Sequence, residues 1–140
     1  MLSDHVEKAA RLLCAARHGP PVHELPQSCR PQSDADAYQI QDAVVRQLGE
    51  TIGGWKVGAG SAAGAAFCAP IWMKMIRQSP ASYDAGELRL IGIEAEIAFR
   101  LGRYLPARAA VYDRAEVTAG AALVSANAKK RPRSRGICMA

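Results

Sequence analysis

Apolar residues recur at helical spacing near the start of the chain. Over residues 4–18 they form one stripe, and Gly19 ends the run. Asp4 lies three residues before Glu7, a spacing that predicts a capping box at the start of this helix. Four prolines follow within residues 19–32 and favour an extended connector. We therefore predict a first helix and then a stretch without regular structure.

Two further helices are indicated by capping patterns. Ser33 precedes Asp36 by three residues and opens a helix that Gly49 ends. Its apolar stripe consists of Ala37, Ile40, Val44, Val45 and Leu48. Asp113 and Glu116 have the same spacing and predict a third helix over about residues 114–127.

Between these helices the pattern changes to that of short strands. Residues 53–58 predict a strand bounded by glycines, and residues 59–69 predict a loop. Residues 71–77 fit a strand or a helix equally well. Residues 92–100 alternate apolar and polar side chains, which predicts a half-buried strand, and residues 101–109 form a connection. Two helices followed by strands indicate an α+β fold.

The alternating strand places two carboxylates on one face. Glu94 and Glu96 are two residues apart, so their Cα atoms would be separated by about 6.6 Å. Carboxylates this close repel each other unless a cation lies between them, and hard oxygen ligands suit Mg²⁺ or Mn²⁺. The alternative is a pair of solvent-facing acids on an edge strand, which the alternation alone favours.

Lys56 is the second candidate, because glycines surround it in the strand over residues 53–58. Small neighbours permit a close backbone approach, and Trp55 would give local apolar cover. A lysine in this setting could act as a general acid/base or hold a substrate carboxylate. The alternative is an ordinary surface lysine.

Charge and cysteine content restrict the class of protein. The net charge of +5 comes from 18 basic and 13 acidic residues. Five of the bases lie within residues 129–135, so the remainder of the chain is neutral. Four cysteines without a Cys-x-x-Cys pair argue against zinc and disulfide frameworks and fit a reducing cytosol. We see no signal peptide, membrane span, nucleophile elbow or phosphate-binding loop, and expect a cytoplasmic protein.

Four segments, in order, resemble the 2-keto-4-pentenoate hydratase group of the fumarylacetoacetate hydrolase family. They are Asp36-Ala37-Tyr38-Gln39-Ile40-Gln41, Gly53-Gly54-Trp55-Lys56-Val57-Gly58, Phe67-Cys68-Ala69-Pro70-Ile71 and Gly92-Ile93-Glu94-Ala95-Glu96-Ile97-Ala98-Phe99. The resemblance extends from about residue 8 to about residue 120. It implies two N-terminal helices followed by part of a mixed β-fold of the fumarylacetoacetate hydrolase type.

The resemblance also implies an activity and the residues that carry it. Glu94 and Glu96 match the pair that binds Mg²⁺ or Mn²⁺, and Lys56 matches the active-site lysine. The implied reaction is hydration of 2-hydroxypenta-2,4-dienoate to 4-hydroxy-2-oxopentanoate in aromatic meta-cleavage catabolism. The implied partners are a small 2-oxo or 2-hydroxy-dienoic acid and further copies of the chain, with no membrane and no nucleic acid.

The likeness stops within the third predicted helix. Family members continue with a third acidic metal ligand and the remaining strands, whereas residues 125–140 carry no carboxylate and no strand pattern. We therefore expect residues 1–128 to be the N-terminal part of a hydratase-like domain. Residues 129–140 would be a basic, disordered tail arising from truncation or a frame shift. Poor metal affinity and little turnover would follow, with either Ile93, Ile97 and Phe99 exposed or a strand edge left unpaired.

Four alternatives to the hydratase stay open. A 2-oxo-acid decarboxylase of the same family would use the same metal chelation, and so would a C–C bond hydrolase. A non-catalytic remnant could fold in part or associate with a relative. A basic binding protein rests only on residues 129–135, and we expect no nucleic-acid partner because the rest of the chain is neutral.

Overall fold

Short helices and short antiparallel strands make up the described part of the chain. The computed structural model describes residues 3–59, 66–88, 92 and 95–128. These residues contain helices α1 (Ser3–Ala16), α2 (Asp34–Leu48) and α3 (Arg114–Gly120), strands β1 (Ile52–Ala59), β2 (Ala66–Trp72), β3 (Ala95–Leu101) and β4 (Ala121–Ala128), and 3-10 turns at Gln27–Cys29, Met73–Met75 and Ala85–Glu87. The mixed content of helices and antiparallel strands confirms the α+β class.

Contacts divide the chain into two units, with the boundary between Ala81 and Ser82. The first unit holds α1, α2, β1 and β2, and the second holds β3, α3 and β4. Each unit has its own two-stranded antiparallel sheet. No helix in the described ranges is both long enough and apolar enough to cross a membrane.

The core of the first unit lies between α1 and α2. Ala9, Ala10 and Ala43 are fully buried, and these small side chains allow the two helices to approach closely. The buried cluster consists of Val6, Ala9, Ala10, Cys29, Ile40 and Ala43, with Leu13, Leu25 and Val44 packed against it. Ile40 and Val44 of the predicted α2 stripe belong to this cluster, whereas Ala37 is exposed and Ala43, which lies outside the predicted stripe, is buried.

Both ends of α2 are capped as the sequence predicts. The Ser33 hydroxyl accepts a hydrogen bond from the backbone N–H of Asp36 at 3.2 Å. Gly49 adopts a left-handed conformation with φ of 61°, and its N–H donates to the Val45 carbonyl at 3.1 Å. Local side-chain chemistry is sufficient to set the limits of this helix.

The predicted capping box at the start of α1 is wrong, because Asp4 already lies inside the helix, which begins at Ser3. The Glu7 carboxylate instead contacts α2. It accepts hydrogen bonds from Arg46 Nη2 at 3.0 Å and from Gln47 Nε2 at 2.7 Å. Those donors lie on the facing helix, where sequence spacing gives no indication of them.

The loop predicted over residues 59–69 is wrong in part, because residues 66–69 belong to strand β2. It pairs antiparallel with β1, with Gly58 opposite Phe67 and Gly54 opposite Ile71. The ambiguous stretch 71–77 divides between the end of β2 and the turn Met73–Met75. Pairing with β1 satisfies the backbone groups of residues that carry weak local preferences of their own.

The third helix is shorter than predicted, and strand β4 follows it. The capping box of Asp113 and Glu116 is confirmed, but α3 ends at Gly120 instead of near residue 127. Residues 121–128 form β4, which pairs antiparallel with β3, so the end of the predicted helix is a strand although residues 125–128 show no strand pattern in the sequence. Glycine is a poor helix former, and the backbone of β3 offers these residues a ladder of hydrogen bonds. The predicted tail, residues 129–140, lies outside the described residues.

The connection between β3 and α3 is organised by Arg108. Its guanidinium donates to Glu116 Oε2 at 2.6 Å and to the Ala110 carbonyl at 3.0 Å. It also lies over the Tyr112 ring, 3.7 Å from the ring centroid. Hydrogen bonds to Arg108 and to the Asp113 backbone lower the pKa of the Glu116 carboxyl.

We expect Gly53→Ala to destabilise the protein and Gly54→Ala to have little effect. A Cβ on Gly53 would lie 2.7 Å from Met73 Cα and 3.1 Å from Met73 N, whereas the nearest atom to one on Gly54 is 3.7 Å away. Forcing the Met73 backbone aside should cost about 1–3 kcal/mol. Urea unfolding of the two variants measures the difference, and equal midpoints would contradict this account.

We expect Glu7→Gln to weaken the protein at neutral pH and to lose that effect in acid. Hydrogen bonds from Gln47 and Arg46 lower the pKa of Glu7 in the folded state from its ordinary value of 4.5. A lowered folded-state pKa means that the stabilisation is present above pH 4.5 and is lost as the pH falls below it. Denaturant midpoints of both proteins at neutral and acid pH should therefore converge on acidification.

A constant difference between the two proteins across that pH range would show that the Glu7 charge is not involved.

Candidate functional site

Lys56 lies in the middle of β1, half-buried and directly opposite Ala69 of β2. Strand alternation places Gly54 and Gly58 on the same face as Lys56, and Trp55 on the other. Trp55 is 51% exposed on that other face, so the expected apolar cover of Lys56 by Trp55 is wrong. The apolar side chains that β2 places on the Lys56 face include Phe67, opposite Gly58, and Ile71, opposite Gly54.

The glycines of β1 make room for the chain itself. The Phe67 ring lies so close to Gly58 that a Cβ there would be 2.6 Å from Phe67 Cζ. The space beside Gly53 is taken by the Met73 backbone, which is held by a 2.8 Å hydrogen bond from Met73 N–H to the Thr51 carbonyl. Of these three glycines only Gly54 faces ordinary contact distances. The close approach predicted from the glycines is therefore made by Phe67 and Met73.

Tyr38 links α2 to this sheet, and sequence reasoning missed it. Its hydroxyl accepts a hydrogen bond from the backbone N–H of Cys68 at 3.1 Å. The side chain is partly buried, and the contact joins residues 30 positions apart. An amide on the outer edge of β2 is thereby satisfied by a helix instead of by another strand.

Of the two carboxylates predicted to bind metal, only Glu96 lies in the described part of the chain. Glu96 lies in β3, where it is exposed and opposite Asn127 of β4. Glu94 lies outside the described residues, so their common face stays a prediction. Lys56 belongs to the first unit and Glu96 to the second.

The described residues bring no three His, Cys, Asp or Glu side chains together in a way that could hold a metal ion. Glu96 has the chemistry for one, since a carboxylate is a hard oxygen donor of the kind that Mg²⁺ prefers. The two carboxylates predicted from the sequence are thus ligands of the chemical type that a divalent ion prefers.

The predicted exposure of apolar side chains on β3 is confirmed where the strand is described. Ile97 is 70% exposed and Phe99 is 68% exposed, while Ile93 lies outside the described residues. These two side chains share one face of the strand, and Glu96 lies on the other.

The described thiols are those of Cys14, Cys29 and Cys68. None of these three takes part in a disulfide. Burial raises the pKa of the Cys14 thiol, so less of it is in the reactive thiolate form.

An open groove of about 270 Å³ lies between α1 and α2, apart from the predicted site residues. Glu7, Asp42 and Arg46 contribute its charges, and Arg46 is already paired with Glu7. Arg46 and Glu7 therefore neutralise each other, and Asp42 adds one negative charge to the groove.

Comparison with protein-family models, with curated proteins and with solved structures finds no match to this chain.

We expect Tyr38→Phe to loosen the outer edge of β2. Without the hydroxyl the Cys68 amide loses its acceptor, and a hydrogen bond of this kind contributes about 0.5–1.5 kcal/mol. Exchange of the Cys68 amide proton should become up to about tenfold faster, measured by NMR. Tyr104→Phe is the matched control, because Tyr104 is 84% exposed.

Unchanged exchange at Cys68 in the Tyr38 variant would show that the hydroxyl does not protect this edge.

Proposed function

We propose that the chain is a metal-dependent hydratase of the 2-keto-4-pentenoate hydratase group, with a fold of the fumarylacetoacetate hydrolase type. Its substrate would be 2-hydroxypenta-2,4-dienoate and its product 4-hydroxy-2-oxopentanoate. The proposal rests on the order of the four sequence segments and on how three of them contact one another.

The observation that supports it most is the meeting of three of these segments in the first unit. The Gly-Gly-Trp-Lys segment pairs residue by residue with the Phe-Cys-Ala-Pro segment, from Gly54 opposite Ile71 to Gly58 opposite Phe67. Tyr38, from the helical segment, accepts the Cys68 N–H. Segments that are separate in sequence thus form one support around Lys56, as expected of parts of one site.

Lys56 is the proposed catalytic group. It is half-buried beside small and apolar neighbours, so an ammonium there can hold a substrate carboxylate with little competition from water. In its neutral form the same amine can accept or donate a proton at the carbon that water attacks.

Glu94 and Glu96 are the residues that would hold Mg²⁺ or Mn²⁺. A bound ion would supply Lewis-acid stabilisation of negative charge on the substrate's carboxylate and 2-oxo oxygens. Two carboxylates leave most of the coordination to water and substrate, so we expect weak metal binding and slow turnover.

The proposed location is the cytoplasm, and the proposed partners are the small dienoic acid and further copies of the chain. The unpaired state of the three described thiols supports a reducing compartment.

One observation favours a second candidate, a non-catalytic protein that works by association. Among the residues of the second unit whose burial is described, only Gly120 is buried, while Ile97 and Phe99 are exposed. Such a unit is suited to contact with another chain. A decarboxylase of the same family would be recognised by release of CO₂ in place of hydration.

We expect slow hydration of the dienoate with Mg²⁺ or Mn²⁺, and the loss of the substrate's ultraviolet absorbance measures its rate. Glu94→Ala with Glu96→Ala should abolish metal-dependent turnover, because no assigned ligand is left. Lys56→Met should lower kcat at least about a hundredfold, as expected for loss of an acid/base group. Lys8→Met is the control, since Lys8 is an exposed residue of α1.

Turnover that survives both substitutions, or wild-type protein that shows none with either metal, would contradict the hydratase proposal.

A further inference from the structure

Strand β3 has one edge that no described strand covers. Its sheet contains β3 and β4 alone in the described part of the chain, so β4 occupies one edge of β3. Residues 95–101 include no proline and no lysine, the residues that commonly protect an edge strand from pairing. As far as the described residues go, this edge of β3 can accept another strand.

The side chains of β3 also leave one face open. Ile97, Phe99 and Leu101 point to the same face and are 70%, 68% and 50% exposed. Gly120 is the only buried residue among those of the second unit whose burial is described. An isolated two-stranded hairpin is marginally stable in water, and three or more strands are normally needed.

The sequence of β3 is complementary to itself when read in the opposite direction. About Ala98 as centre, Glu96 on one side corresponds to Arg100 on the other, and Ile97 corresponds to Phe99. In an antiparallel pair, residues at equal distances from a twofold axis lie directly opposite each other, with Cβ atoms about 4.5–5.5 Å apart. A carboxylate then faces a guanidinium, and an aliphatic side chain faces an aromatic one.

We propose that β3 pairs antiparallel with β3 of a second copy of this chain, with the twofold axis at Ala98. The pairing places Glu96 opposite Arg100 of the second copy twice, and Ile97 opposite Phe99 of the second copy twice. The product is a four-stranded sheet in the order β4, β3, β3, β4. Ile97, Phe99 and Leu101 of both copies form one continuous apolar face on it.

Other registers lose this complementarity. Moving the axis to Phe99 places Ala98 opposite Arg100 and leaves Glu96 opposite Gly102, so neither charge gains an opposite partner. Like charges directly opposite each other destabilise a sheet, and opposite charges stabilise it. The charges therefore select the register centred on Ala98.

This inference does not depend on the proposed hydratase activity. Arg100 is not assigned to the proposed site, so Arg100→Glu tests the pairing without replacing Lys56 or either metal ligand. Loss of pairing with turnover retained, or the reverse, would separate the two proposals.

The test is sedimentation velocity on the full chain over a concentration series. Wild-type protein should form a dimer. Arg100→Glu and Glu96→Arg should each raise the dimer dissociation constant at least about tenfold, because like charges then face each other across the axis. Arg114→Glu, at an exposed position in the first turn of α3, is the matched control and should dimerise as wild type does.

Mixing the two β3 variants provides the decisive measurement. The Glu96→Arg copy carries two cations on this face and the Arg100→Glu copy carries two carboxylates, so an equimolar mixture should form a heterodimer although neither variant pairs with itself. Recovery in the mixture also shows that both variants are folded. A monomeric wild type, an Arg100→Glu variant that dimerises as wild type does, or a mixture that stays monomeric would each overturn the proposal.

Discussion

The register between β1 and β2 is the constraint on which the proposed site depends. Gly58 must lie opposite Phe67 because the ring fills the place that a side chain would need. Because side chains alternate along a strand, a slip of one residue would move Lys56 to the opposite face. The glycines thus fix the position of the lysine by admitting the chain's own residues.

The two units are stabilised in different ways. In the first, two helices bury small apolar side chains against each other, and ion pairs such as Glu7 with Arg46 lie at the rim. The second has little described burial and relies on backbone pairing and on the hydrogen bonds of Arg108. Exposed ion pairs contribute little, so its sheet gains most from added strands.

Only part of the candidate site could be predicted from the sequence. Lys56, Glu94 and Glu96 are recognisable because each belongs to a short pattern with chemical meaning. Tyr38 belongs to one of the same segments, yet its contact with the Cys68 amide has no local signal. Side-chain contacts to distant backbone follow from the way elements pack, which spacing along the chain does not encode.

The sequence by itself determined α1, both caps of α2, the strand around Lys56 and the capping box of α3. Apolar periodicity, hydroxyl or carboxylate caps and a left-handed glycine act over a few residues, so local sequence is sufficient. Only the tertiary structure decided β2 and β4. Residues 66–69 and 121–128 are rich in alanine, which favours helix over strand, so pairing with the backbone of a neighbouring strand determines their conformation.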